Sequence, residues 1–248
     1  MNPKKINITT LDGIADCYIF HPPDKGKCPG VIIYPDAFGI RPALLEMAER
    51  LSSNGYDVLL PNLFYRAGPY PPFDPQAVFK DETERDRLMA LMRSINHGLV
   101  MRDTSAFLDY LAGQSPAGSK VGCVGYCMGG GFALTAAATF PDRVAAAASF
   151  HGGNLATDRP DSPHLLAGKI RARVYIGVAG IDPHFPESEK ERLQAALQAA
   201  GVRYHLEVYP AARHGFTMTD LPVYDREACE RHWQCLLQLF REAGLYGS

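Results

Sequence analysis

The sequence predicts an α/β protein with a mostly parallel sheet and helices on both faces, and three observations carry that expectation. Short apolar runs alternate with helical spacings along most of the chain. Segments 31–34, 43–53 and 56–60 read strand, helix, strand, an order that makes a parallel pair. At 120–139 an apolar strand pattern meets Gly125-Tyr126-Cys127-Met128-Gly129 and continues as an Ala-rich helix.

Taken in order, 6–10 and 15–20 alternate around Asp12-Gly13 and predict a hairpin. The stretch HPPDKGKCPG is punctuation. Residues 31–34 form a buried strand ending in Pro35-Asp36-Ala37-Phe38-Gly39, and loops past the carboxyl ends of such strands are where ligands bind. A helix over 43–53 stops at Asn54-Gly55 before the strand at 56–60. Residues 62–77 hold Pro, Gly and aromatics without periodicity and read as a long loop lining a site. Helices follow over 81–95 and 99–111, then the strand, sharp turn and helix around Cys127. Residues 144–150 make a buried strand, 154–169 are irregular, and 173–179 is a strand ending in a loop that carries Asp182. The helix at 187–200, the strand at 204–209, the loop with His214 and an amphipathic helix over 224–242 complete the chain.

The 248 residues are expected to form one domain, 1–248, with 46% apolar and 21% charged residues supplying the core of an ordinary globular protein. A net charge of -2 gives no reason to expect nucleic acid or an anionic membrane as partner. No apolar run approaches the ~20 residues needed to cross a bilayer. The start lacks the apolar core of a signal peptide, so a cytoplasmic protein is expected, monomeric or homodimeric. Cys17, Cys28, Cys123, Cys127, Cys229 and Cys235 show no C-x-x-C pairing and read as thiols. No group of His, Cys, Asp and Glu has the spacing of metal ligands.

The chemistry begins at Cys127. In Gly-x-nucleophile-x-Gly the apical residue takes a strained backbone conformation, and small residues two before and two after let strand and helix approach. Its side chain points outward at a helix N-terminus, where the dipole stabilises a thiolate and the N–H of Met128 can donate to an oxyanion. The competing reading is a buried Cys in a nucleotide-binding turn, but neither the dinucleotide glycine fingerprint nor a phosphate-loop lysine is present. A nucleophile needs a base and a group to orient that base. The α/β-hydrolase order of nucleophile, acid and histidine is met by Cys127, Asp182 and His214, each after an apolar strand. Asp182 could instead be a turn former before Pro183, and His214 a loop histidine beside Gly215. His151-Gly152-Gly153 looks like an esterase oxyanion loop but lies after the elbow, whereas His97, His164, His184, His205 and His232 read as surface or second-layer residues.

The elbow GYCMGG, the loop AGIDPHFP, the segment ARHGF and the early PDAFG together resemble the dienelactone hydrolase (carboxymethylenebutenolidase) family, and the likeness spans nearly the whole chain. The resemblance implies an α/β-hydrolase fold with eight strands, a Cys-His-Asp triad and no cofactor. It makes Cys127 the nucleophile, His214 the base and Asp182 its orienter, with the N–H groups of Ala37 and Met128 as oxyanion hole. It also implies a thiol-activating carboxylate in the early loop, where this chain has Asp36 in place of the family's usual Glu. Family members hold a substrate carboxylate with two arginines. Arg85 meets the first, with Arg87 close enough to compete. At the second position stands Met218, so a less polar substrate is expected unless Arg66 or Arg213 takes over. Phe38 and Tyr126 complete the expected substrate wall. The function expected is hydrolysis of a small-molecule lactone or ester through an acyl-thioester. The alternatives are a general carboxylesterase or acyltransferase, a thiol redox sensor using Cys127, and a binding protein on an inactive scaffold.

Overall fold

The computed structural model describes residues 3–23, 26–115 and 120–246, so Asp24 and Lys25 of the expected turn stretch lie outside the described residues. The strands are β1 (Lys4–Thr10), β2 (Gly13–Phe20), β3 (Gly30–Tyr34), β4 (Asp57–Pro61), β5 (Val121–Tyr126), β6 (Val144–Phe150), β7 (Arg173–Ile181) and β8 (Tyr204–Arg213). The helices are α1 (Pro42–Ser53), α2 (Glu82–Arg93), α3 (His97–Gln114), α4 (Met128–Thr139), α5 (Glu187–Ala199) and α6 (Arg226–Glu242). The strands join in one sheet of order β1-β2-β4-β3-β5-β6-β7-β8. The first three pair antiparallel at the β1-β2 and β2-β4 contacts, and every pair from β4 to β8 is parallel.

The two-residue period of the central strands builds a core on each face. Ile32 and Tyr34 of β3, with Val121 and Cys123 of β5, face a cluster completed by α3 and α4. Val31 and Ile33, with Val124 and Tyr126, face the opposite cluster, where α1 and α6 contribute Leu44, Leu51, Trp233, Leu236 and Phe240. Such strands read as continuous apolar runs because neither face meets water.

Capping explains where the helices begin. Asp81 accepts the N–H groups of Thr83 and Glu84, and Asp225 accepts that of Ala228. The last helix therefore starts at Arg226, two residues later than its apolar pattern suggests. Asn96 caps α3 through the N–H of Leu99, which starts that helix at His97. The irregular 154–169 contains one short 3₁₀ segment, Pro163–Lys169. Both β7 and β8 run further than their apolar residues indicate, with Ile181 still paired to Arg213. Gly180 permits this, since a Cβ there would fall 2.3 Å from the carbonyl oxygen of Pro210. Asp182 and His214 thus leave adjacent strands at the same level.

The tightest packing is at the turn between β5 and α4. A Cβ on Gly125 would lie 1.9 Å from the carbonyl oxygen of Gly129, and one on Gly129 would lie 2.2 Å from that of Tyr34. Cys127 between them has φ 55 and ψ -122, a backbone conformation that L-residues hold only when their surroundings enforce it. Replacing Gly129 with Ala is expected to cost about 3 kcal/mol or more, because the obstacle is backbone. Gly168→Ala, where a Cβ would meet nothing within 4 Å, should stay within about 0.5 kcal/mol of the parent. Urea denaturation of the two variants checks the contrast.

Candidate active site

Cys127 stands at the N-terminus of α4, half-buried, with its backbone N–H shared between the Phe150 carbonyl and His151 Nδ1, both at 3.2 Å. Accepting that N–H fixes the His151 tautomer: Nε2 carries the proton and donates it to Thr217 Oγ1 at 2.8 Å. His151 is buried, and desolvation, reinforced by the charges of His214 and His232, holds it well below the ordinary histidine range. It is therefore a neutral strut between the nucleophile turn and the loop that carries His214. Its position on the strand end after the elbow was legible as His-Gly-Gly, but its partners were not.

His214 Nδ1 lies 2.7 Å from Asp182 Oδ2, and the Asp182 side chain is almost wholly buried. The other carboxylate oxygen accepts the His184 N–H at 2.9 Å, which leaves Asp182 fully engaged. With Nδ1–H donated to Asp182, Nε2 is the atom free to act on Cys127. Burial alone would lower the His214 pKa; the charge of Cys127, hydrogen bonds to Asp182 and Cys127, and the Asp182 charge outweigh it and raise it to about 10. His184 and His151 flank the imidazole edge-on at centroid distances of 4.8 and 5.3 Å.

Facing Cys127 across the end of β3 is the 35–39 loop. Asp36 closes it by accepting the Phe38 N–H at 3.1 Å on Oδ1 and the Gly39 N–H at 3.1 Å on its carbonyl. Ala37 lies inside this turn, and Met128 is the first residue of α4, where a helix leaves its N–H without an internal acceptor. Asp36, the carboxylate expected to activate the thiol, has both oxygens engaged within its own loop. Its carboxylate is committed to Arg41 through a fork, Oδ1 to Nη1 at 2.7 Å and Oδ2 to Nη2 at 2.9 Å. Arg41 in turn reaches Asp220 at 2.5 and 3.1 Å. Burial raises the Asp36 pKa against the pull of Arg41. One methylene shorter than Glu, the side chain is held back in its own loop and braces it against the segment after His214.

Two residues expected to contact substrate lie in the core. Met218 is 0% exposed and belongs to the core cluster with Tyr126 and Trp233. Tyr126 lies beneath the elbow, stacked on Phe150, its hydroxyl donating to His232 Nε2 at 3.0 Å. Both side chains are fully buried. His232 is buried in a second layer behind Tyr126, and its Nδ1–H goes to the Cys229 carbonyl. Phe38 packs edge-on to Phe79 with the Arg41 guanidinium over its ring. Arg85 projects from α2 with a 46% exposed side chain and pairs loosely with Glu82 at 3.6 Å. Arg87 is held by Glu84 and the Pro71 carbonyl, and lies over Phe73. Arg66 is spent on Asp12 and Asp103.

Next to Met128 a cavity of about 220 Å³ opens, lined by Met92, Ile95, His97, Phe132, Asn154 and Pro163 among others. Among the described residues there is no group of His, Cys, Asp and Glu that could hold a metal ion, and no helix is long and apolar enough to cross a membrane. None of the six cysteines forms a disulfide.

Comparison with known proteins gives a consistent relationship. The dienelactone hydrolase family profile matches residues 15–244. The carboxymethylenebutenolidase of Pseudomonas putida is 29% identical over 225 residues, covering 90% of each chain. A dienelactone hydrolase-like promiscuous phosphotriesterase from metagenomic libraries superimposes with a TM-score of 0.79 at 26% identity, over 99% of both chains. The dienelactone hydrolase of Anabaena variabilis shares the fold, with a TM-score of 0.68 at 20% identity over 98% of this chain and 99% of its own.

The Asp36–Arg41 fork yields a double-substitution test. Arg41→Met leaves a buried carboxylate unpaired and should cost about 3 to 5 kcal/mol. Adding Asp36→Asn removes that charge and should recover a large part of the loss. If Asp36 acted on the thiol instead of on Arg41, the second change would restore nothing in a denaturant titration.

Proposed function

The chain belongs to the dienelactone hydrolase family and is an ester-cleaving hydrolase, and from that premise we propose that it opens lactones or small esters through Cys127, His214 and Asp182. The observation that carries this reading is His214, gripped by Asp182 at 2.7 Å and electrostatically coupled to a cysteine in a strained turn. Asp182 fixes the imidazole tautomer, and His214 takes the proton of Cys127 so that the sulfur attacks as a thiolate. The thiolate attacks the carbonyl carbon, and the oxyanion that forms accepts the N–H groups of Ala37 and Met128. Collapse of that intermediate breaks the bond to the alkoxide or enolate, which takes its proton from His214. His214 then removes a proton from water, the hydroxide attacks the thioester, and the acid leaves as the thiol is regenerated.

A thioester suits enol-type leaving groups, which depart readily. The charge balance around the site favours an uncharged substrate: Arg41, Arg66 and Arg87 are each occupied by carboxylates of this chain. Arg85, whose surface pairing with Glu82 is weak enough to be exchanged, and the exposed Arg213 beside His214 are the cations available to a substrate carboxylate. Because Met218 is sealed in the core, an arginine there would be buried instead of presented, and charge selectivity rests on the paired cations.

Cys127→Ala is expected to lower hydrolysis of p-nitrophenyl acetate by at least about 10³-fold while the circular dichroism spectrum is retained; parental turnover would remove Cys127 from the mechanism. Substrate charge has its own test. A methyl-esterified lactone acid should show kcat/KM about 10-fold or more above the free acid, since no bidentate clamp of the usual strength receives the carboxylate.

His214 also links activity to stability. Its pKa is near 6.5 when unfolded and about 10 when folded, so its contribution is complete below about pH 6.5 and is lost as pH rises through 10. The Tm of the parent should therefore fall more between pH 7 and 10 than that of His214→Gln. Cys127→Ala, which removes the largest favourable partner, should flatten the fall as well. Equal slopes in all three proteins would rule out the ion pair.

A further inference from the structure

The cavity beside Met128 contains a polar atom whose hydrogen-bonding role is settled by its neighbours. His97 opens α3, its ring edge-on to Phe132 at 5.0 Å and so close over α4 that a Cβ on Gly131 would be 3.2 Å from His97 Cε1. His97 Nδ1 lies 2.8 Å from Thr135 Oγ1. The Thr135 hydroxyl has one proton, and it goes to the Gly131 carbonyl at 2.9 Å. Thr135 Oγ1 must therefore accept from His97, which places the ring proton on Nδ1 and leaves Nε2 a bare lone pair. Burial holds His97 below its ordinary pKa, so the ring stays neutral near pH 7.

The remaining lining suits a small uncharged group. Met128, which follows Cys127 in the chain, lines the cavity, and so does Gly153, which packs on His184, the edge-on neighbour of His214, so the cavity lies close to the candidate triad. Its volume of about 220 Å³ is below the ~300–1,000 Å³ of drug-sized sites. Arg159 lines it too, but it makes two hydrogen bonds to Asp161, at 3.0 and 3.1 Å, and the pair is neutral.

We propose that His97 Nε2 accepts a hydrogen bond from a hydroxyl or N–H group of the substrate, so that this hydrolase selects small, uncharged lactones or esters bearing a donor on the part that fills this cavity. The proposal deepens the hydrolase reading and rests on it. Thr135 acts as a positioning residue, because it dictates which nitrogen faces the substrate.

The test uses p-nitrophenyl hexanoates with hydroxyl, methoxy or hydrogen at C2, C3 or C6. In the parent, one hydroxylated position is expected to exceed its methoxy and hydrogen analogues in kcat/KM by about 10-fold. His97→Phe keeps the ring contacts without the acceptor and should bring that ratio to about one. Thr135→Val frees the tautomer, which should lower the ratio and raise relative turnover of the methoxy analogue. Ratios near one at every position in the parent, or a preference that survives His97→Phe and Thr135→Val alike, would overturn the assignment. The hydrolase reading is tested separately in the same assay, by whether unsubstituted hexanoate turnover is lost in Cys127→Ala.

Discussion

Backbone touching backbone at the elbow is the constraint on which the site depends. Only because Gly125 and Gly129 lack side chains can α4 come within van der Waals distance of β5 and the end of β3. That approach forces Cys127 into positive φ, aims its side chain away from the core and brings the α4 N-terminus beside the 35–39 loop. The same closeness lets His151 at the end of β6 reach the Cys127 N–H. Strain of this kind lasts only where it is overdetermined, and here two glycines, a carbonyl and an imidazole determine it together.

Charge in this neighbourhood is arranged in nearly closed units. Asp36, Arg41 and Asp220 form one, and Asp182 with His214 form another. Around them stand histidines that burial keeps neutral: His151, His232 and His97, each with a tautomer set by a fixed neighbour. A neutral imidazole can join segments without adding a charge that would compete with the field of Asp182 and His214. His214 differs because the Asp182 carboxylate holds its Nδ1.

Most of the sheet was legible because parallel strands buried on both faces are continuous apolar words between turn residues, and because Asp81, Asn96 and Asp225 write helix starts in side chains. The Gly-x-Cys-x-Gly turn and the strand ends before Asp182 and His214 were legible for the same reason: local sterics determine them. What could not be read was which way a side chain faces once past the strand. Met218 and Tyr126 sit within a few residues of Cys127 or His214 in the chain yet are buried in the core. Asp36 has the right place and charge, but an arginine five residues on, invisible as a partner in one dimension, takes both oxygens. His151 was discounted because its order along the chain did not fit an oxyanion loop, although strand adjacency of β5 and β6 puts it against Cys127.

The distribution of sulfur has a practical meaning. Of the six thiols, Cys127 alone is partly exposed, and the others are buried. Burial pushes the thiols of Cys17 and Cys123 up to about 12 and raises those of Cys229 and Cys235 as well, which suppresses their nucleophilicity. The folded chain thus behaves toward soft electrophiles as a single-cysteine protein. A maleimide dye or a spin label can be attached at one atom without a cysteine-free background, and it would report from the N-terminus of α4.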